Sequence, residues 1–193
     1  MTALPTKKFI TPEEYLETER VAETKHEYFN GEIFAMAGSS FRHALISTNI
    51  ASNFSLKLKG KNCRALQSDL RVFVPVTGLY TYPDVSVVGG SPQLVDDSHF
   101  DILLNPIVII EVLSPSTGAY DKGVKFDHYR TIESLKEYVI VWQDKKRVAR
   151  YTRRDDGGWL LNDFIGDNAD VELRSIECVL SIDEIYDKVE FED

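Results

Sequence analysis

Apolar positions along the chain fall into a few recurring spacings, each predicting a different element. Leu45, Ile46, Ile50, Phe54 and Leu58 recur at helical spacing, which predicts a helix over Arg42–Leu58 with Gly60 placed to end it. Strict alternation marks two strands. In Arg71–Val76, Val72, Val74 and Val76 share a face; in Tyr80–Val88, Val85 and Val87 oppose Asp84, Ser86 and Val88. Ile107–Leu113 and Tyr138–Trp142 are apolar on both faces, as expected in the middle of a sheet. A helix predicted over Ala119–Ile132 separates them, and strand, helix, strand at this spacing reads as a right-handed parallel crossover.

Punctuation residues complete the outline. Thr11-Pro12-Glu13-Glu14 supplies a cap, a first-turn proline and two acids for a short helix over Pro12–Glu19. Asn30-Gly31 predicts a hairpin within Glu27–Ala37, and Gly157-Gly158 a second one joining Arg147–Arg153 to Trp159–Phe164. Cys63–Leu66 reads as a short strand, Gly89–Asn105 as a polar loop and Ile182–Asp187 as a closing helix. The sum is a single α/β domain, a mixed sheet with helices on its faces.

Composition narrows the function classes. At 193 residues, with 43% hydrophobic and 27% charged residues, the chain is long enough for one real core and ordinary in make-up. Its longest apolar run, Ile107–Ile110, falls far short of the ~20 residues a membrane span needs. The N-terminus lacks an apolar signal core, so a cytoplasmic protein is expected. Cys63 and Cys178 show no metal-site spacing and read as partly buried free thiols. A net charge of −9 argues against a nonspecific nucleic-acid coat but not against a site built of carboxylates. Lys145–Arg154 carries six bases and no acid, a basic strip within the acidic whole.

The chemistry lies between Tyr82 and Tyr129. Glu111 is an acid in a buried apolar strand, costly unless something compensates its charge. Asp84 lies in the preceding strand, and two carboxylates with a backbone carbonyl and waters make a hard-oxygen set suited to Mg²⁺ or Mn²⁺. This resembles the PD-(D/E)XK pattern, except that the lysine expected two residues after the acid is Leu113. Asp121, Lys125 and Tyr129 form one helical stripe, from which Lys125 can reach the pocket.

The run Tyr82-Pro-Asp84-Val85, then Glu111-Val-Leu-Ser-Pro-Ser-Thr117, then Asp121, Lys125 and Tyr129 resembles the Uma family of restriction-endonuclease-like proteins, in the PD-(D/E)XK nuclease superfamily. Glu27-Tyr-Phe-Asn-Gly-Glu32 and His43 are similar to it as well. The resemblance implies a restriction-endonuclease-like mixed sheet flanked by helices, Mg²⁺-dependent (or Mn²⁺-dependent) phosphodiester hydrolysis, and a catalytic lysine moved onto the helix. On that reading Asp84 and Glu111, with the Val112 carbonyl, hold the metal. Lys125 orients water or stabilises charge, and Glu32 makes a further contact. The expected substrate is nucleic acid, DNA in the first place with RNA left open, and cutting both strands could use a homodimer.

Plainer readings stand beside each residue. Asp84 could close a turn, Glu32 could be a solvated hairpin acid, and His43 could be structural. Lys125 could be the exposed partner of Asp121, worth about 0.3–0.5 kcal/mol, with Lys122 as the alternative catalytic lysine. Gln67, Ser68 and Asp69 could lie near the site or form a turn, and the basic strip could be a solvated edge or a DNA contact. No nucleotide-binding glycine motif, H-E-x-x-H or G-x-S-x-G occurs. The alternative from another class is a nucleic-acid-binding or regulatory module without turnover, which Leu113 and the acidic charge balance favour.

Overall fold

The computed structural model describes residues 9–115 and 117–191. Helix α1 (Pro12–Glu19) starts as its sequence predicts: Thr11 accepts from the Glu14 amide at 3.2 Å, and the Glu14 carboxylate accepts from the Thr11 amide at 3.0 Å. Strands β1 (His26–Phe29) and β2 (Glu32–Ala35) form the predicted hairpin. Asn30 and Gly31 both take positive φ, +48° and +80°, as its tight turn demands. Helix α2 (Phe41–Lys57) follows, capped by the Ser40 hydroxyl.

Six strands make the central sheet: β3 (Cys63–Gln67), β6 (Val85–Gly89), β8 (Val108–Leu113), β9 (Glu137–Trp142), β10 (Arg147–Arg153) and β11 (Trp159–Ile165). Their order is β11-β10-β9-β8-β6-β3, with β8 and β9 parallel and every other pair antiparallel. A second, five-stranded sheet has the order β2-β1-β5-β4-β7, adding β4 (Arg71–Val74), β5 (Leu79–Thr81) and β7 (Ile102–Leu103). Between β8 and β9 the chain forms α3 (Gly118–Lys122) and α4 (Val124–Tyr129). A small hairpin, β12 (Asp170–Leu173) and β13 (Cys178–Ser181), leads to α5 (Ile182–Ile185).

The two faces of β8 sort the core. Val108, Ile110 and Val112 pack with Ile46, Ile50 and Phe54 of α2 and with the β12–β13 hairpin and α5. Ile109 and Leu113 pack with Val72, Val74 and Leu79 of the second sheet and with Tyr129, Leu135 and Tyr138. The opposite face of the second sheet takes Tyr15 of α1 against Tyr28 and Tyr80. This is the mixed α/β architecture the sequence implies. Cys63 and Cys178 are free thiols, partly and fully buried.

Four local expectations need correction. The alternating stretch Tyr80–Val88 is two strands in two different sheets, because Pro83 has no amide to donate and the chain changes sheet there. Asp84 therefore occupies the break rather than a strand position. The strand expected to reach Val76 stops at Val74, before Pro75, and Val76 is exposed in the turn. The helix expected over Ala119–Ile132 is broken at Gly123, whose backbone (φ −119°, ψ −90°) is not helical. The loop Gly89–Asn105 contains β7, a two-residue strand buried beside β4.

Candidate active site

The break at Pro83 places Asp84 one register step beyond the last β6–β8 pair, Val85 with Ile110, and so opposite Glu111. Both its oxygens are held. Oδ2 accepts from the Val112 amide at 2.7 Å, and Oδ1 lies 2.8 Å from His43 Nε2. His43 is in the first turn of α2, its backbone amide bonded to Ser40 Oγ at 3.1 Å, while the Ser40 hydroxyl donates to Gln143 at 2.6 Å. Helix α2 thus delivers an imidazole to the strand end.

Glu111 is 4% exposed and shares its face of β8 with Ile109 and Leu113. Its Oε1 accepts from Tyr129 Oη at 2.8 Å and lies 2.9 Å from Lys125 Nζ. Lys125, also 4% exposed, lies 3.0 Å from Glu27 Oε1 and 3.7 Å from Asp121 Oδ1. The helix break at Gly123 does not separate Asp121 from Lys125. Glu27 is fixed in turn by the Thr81 hydroxyl and by Tyr120 Oη at 3.2 Å. Tyr138 Oη donates to the Asp121 carbonyl at 2.9 Å and ties α3 to the sheet.

One ammonium among several carboxylates decides their protonation. Burial pushes Glu111 up to about 8, only partly offset by Lys125 and reinforced by Asp84 and Asp121. Burial also raises Asp121. Glu27, though buried, is held below the usual carboxylate range by Lys125 and by the Thr81 hydroxyl. The difference follows from burial and neighbours: Glu27 has Thr81, Lys125 and Tyr120 around it, whereas the more deeply buried Glu111 has Lys125 and Tyr129 but also faces Asp84 and Asp121. Burial would lower Lys125, but Glu111 and the surrounding groups keep it well above its ordinary value.

Beside Asp84 and His43 opens a cleft of about 180 Å³ lined by Ser39, Ser47, Thr48, Gln67 and Ser68. Gln67 and Ser68 therefore border the site, whereas Asp69 is exposed and pairs with Lys25 at 2.6 Å. Glu32 sits at the hairpin end, opposite Phe29, and the ion pairs of Lys125 run to Glu27, Glu111 and Asp121 instead. Lys122 is exposed, 5.9 Å from the centre of the Trp142 ring. The basic strip is largely consumed at home: Arg147 pairs with Asp163, Lys146 with Asp167 and Asp183, and Arg153 binds the carbonyls of Arg130, Ile132 and Leu135. Among the described residues no group of three or more His, Cys, Asp or Glu side chains is arranged to hold a metal ion by itself. No helix among them is long and apolar enough to cross a membrane.

The sequence reading missed Glu27 and the full part played by Asp121. Glu27 lay in the hairpin segment already singled out, and its signal was position: it and Phe29 alternate in β1, while Glu32 begins the outer strand.

The mixed sheet flanked by helices is the restriction-endonuclease-like fold. A crystal structure from Anabaena variabilis, described as "a putative nuclease belonging to DUF820", has the same fold, with a TM-score of 0.75 over 92% of this chain and 97% of that one at 23% identity. Residues 12–183 match the family Uma2, "Putative restriction endonuclease", and the chain belongs to that family. Two Synechocystis sp. proteins are similar over most of their length. "Uncharacterized protein slr1290" is 38% identical over 92% of this chain and 91% of its own, and "Uncharacterized protein sll1609" is 37% identical over 90% and 97%.

Proposed function

We propose that the protein is a divalent-metal-dependent endonuclease hydrolysing phosphodiester bonds of nucleic acid, in the first place DNA, with Asp84, Glu111 and Lys125 at its reacting centre. The observation that carries this reading is the contact of a buried Lys125 with Glu111 at 2.9 Å, beside Asp84 at the break just before the neighbouring strand. That contact offers a lysine where Leu113 does not, which supports turnover over a module that only binds.

The donor set fits a hard cation. Asp84, just before β6, stands one register step beyond the Val85–Ile110 pair and so beside Glu111 of β8. A strand residue turns its N–H and C=O to the same side, so the Val112 carbonyl faces Asp84 as its amide does. Mg²⁺ needs few protein ligands and keeps several waters, which suits two carboxylates and a carbonyl. The cluster of Glu27, Asp84, Glu111 and Asp121 outweighs one ammonium, and the raised Glu111 holds a proton that a cation would displace. A divalent cation held by Asp84, Glu111 and the Val112 carbonyl would supply Lewis-acid chemistry to phosphodiester hydrolysis.

The chain's own groups do the rest. His43 and the Val112 amide fix both oxygens of Asp84. Lys125 stays protonated, so it acts through charge and hydrogen bonds on the phosphate oxygens rather than as a base. The cleft lined by Ser47, Thr48 and Gln67 opens beside Asp84. Two copies would be needed to cut both strands. The test is incubation of supercoiled plasmid, linear DNA and RNA with Mg²⁺, Mn²⁺ or chelator. Metal-dependent cleavage of DNA that disappears in Asp84→Ala is expected; equal cleavage by Asp84→Ala refutes the assignment.

A further inference from the structure

The ammonium of Lys125 sits in a cage drawn from three separate elements. Glu111 comes from β8, Asp121 from α3 and Glu27 from β1 of the second sheet, at 2.9, 3.7 and 3.0 Å from Nζ. The side chains of Lys125, Glu111 and Asp121 are each 5% exposed and that of Glu27 10%. Converging buried carboxylates are the donor type a hard divalent cation takes, and here an ammonium stands among them. The carboxylates differ in how they are held. Glu27 is anchored by Thr81 and Tyr120 independently of Lys125. Glu111 has one oxygen on Lys125 and Tyr129 and stands opposite Asp84.

We infer that Lys125 is a built-in second cation: the site takes one divalent ion, at Asp84 and Glu111, and Glu27 is the positioning residue that keeps the ammonium beside it. The inference rests on the nuclease reading above. Once Glu111 serves a cation, the ion-pair partners left to Lys125 are Glu27 and Asp121, and Glu27 is the nearer. Hydrolysis of a phosphodiester needs positive charge near both the attacking and the leaving oxygen, which two-metal sites provide with a second ion about 3.5–4 Å away. A Lys125 ammonium held 2.9 Å from an oxygen of Glu111, the carboxylate the cation would share, places a positive charge beside that cation without a second ion.

The test is Mn²⁺ binding, by calorimetry and electron paramagnetic resonance, to the wild type, Lys125→Met and Glu27→Gln. The wild type is expected to bind one Mn²⁺ per chain, and Lys125→Met two, as the vacated cage accepts the second. Glu27→Gln is expected to keep one Mn²⁺ with affinity within about threefold, while kcat on nucleic acid falls roughly 10–100-fold and KM stays within about threefold. Glu27→Asp should recover part of that loss, which a residue serving packing alone would not produce. Two Mn²⁺ per wild-type chain overturns the inference and leaves the nuclease reading standing; none overturns both. A folded Lys125→Met that binds one, or a Glu27→Gln that loses Mn²⁺, overturns it too. Should Lys125→Met fail to fold, the wild-type stoichiometry and Glu27→Gln decide.

Discussion

Replacing Lys125 with Met keeps the length of the side chain and removes the ammonium in contact with Glu27, Glu111 and Asp121. An exposed i,i+4 pair of Lys125 with Asp121 would be worth about 0.3–0.5 kcal/mol. The structure puts Lys125 instead at 5% side-chain exposure among carboxylates equally buried. Removing one partner of a buried pair leaves an uncompensated charge and costs about 3–5 kcal/mol. For a chain of this size that is a fall in Tm of roughly 6–20 °C. The loss should depend on pH. Lys125 now holds Glu27 below its unfolded value of 4.5, a contribution present above that value and lost as pH falls through the folded one. In Lys125→Met, burial would raise Glu27 above 4.5, and the variant would lose stability as pH rises. Metal-free thermal melts at pH 5 and pH 8 measure both effects, and the deficit should be larger at pH 8. A deficit under about 1 kcal/mol at pH 8, the size of a surface pair, would refute the buried-cage reasoning.

Other expectations follow from the same geometry. Glu111 sits at about 8 in the metal-free protein and must lose its proton to take a cation, so Mn²⁺ affinity should fall by up to about tenfold per pH unit below 8. Calorimetry at pH 6, 7 and 8 checks this, and a flat profile contradicts it. The same raised value means that stability contributed by Glu111 is full below 4.5 and lost as pH rises toward 8, which metal-free melts of Glu111→Gln against wild type would register as a gain at pH 8. Tyr129→Phe removes the hydroxyl 2.8 Å from Glu111 and, at pH 7 where Glu111 holds its proton, should cost about 0.5–1.5 kcal/mol in urea unfolding; an unchanged midpoint would contradict it. Gly31→Ala would push a Cβ to 2.2 Å from the Phe9 ring at φ +80°, so it should destabilise by about 1 kcal/mol or more, read as a lower melting midpoint.

What the sequence disclosed and what it hid divide along physical lines. Period and punctuation were enough for β8, β9, α2 and both long hairpins, since their apolar spacing and turn residues agree with the tertiary packing. Glu111 stood out because an acid in a strand apolar on both faces demands a partner. The alternation of Tyr80–Val88 continues through Pro83, yet the chain changes sheet there, and periodicity carries no information about which sheet a strand joins. β7 is two residues long, too short for any period, and is held by pairing with β4. Glu32 drew attention over Glu27 because it follows the turn. Which hairpin acid faces Lys125 depends on the docking of one sheet against another, a contact between residues 27 and 125 that no local pattern encodes.

On the function proposed, Asp84 and Glu111 share one divalent cation beside a charged Lys125. A crystal soaked in Mn²⁺ and measured at the manganese absorption edge tests it most directly. The account predicts a single anomalous peak per chain, about 2.1 Å from oxygens of both carboxylates, with the Val112 carbonyl in the same sphere and Lys125 still on Glu27. A map without a peak between Asp84 and Glu111, or with the ion bound elsewhere, contradicts it.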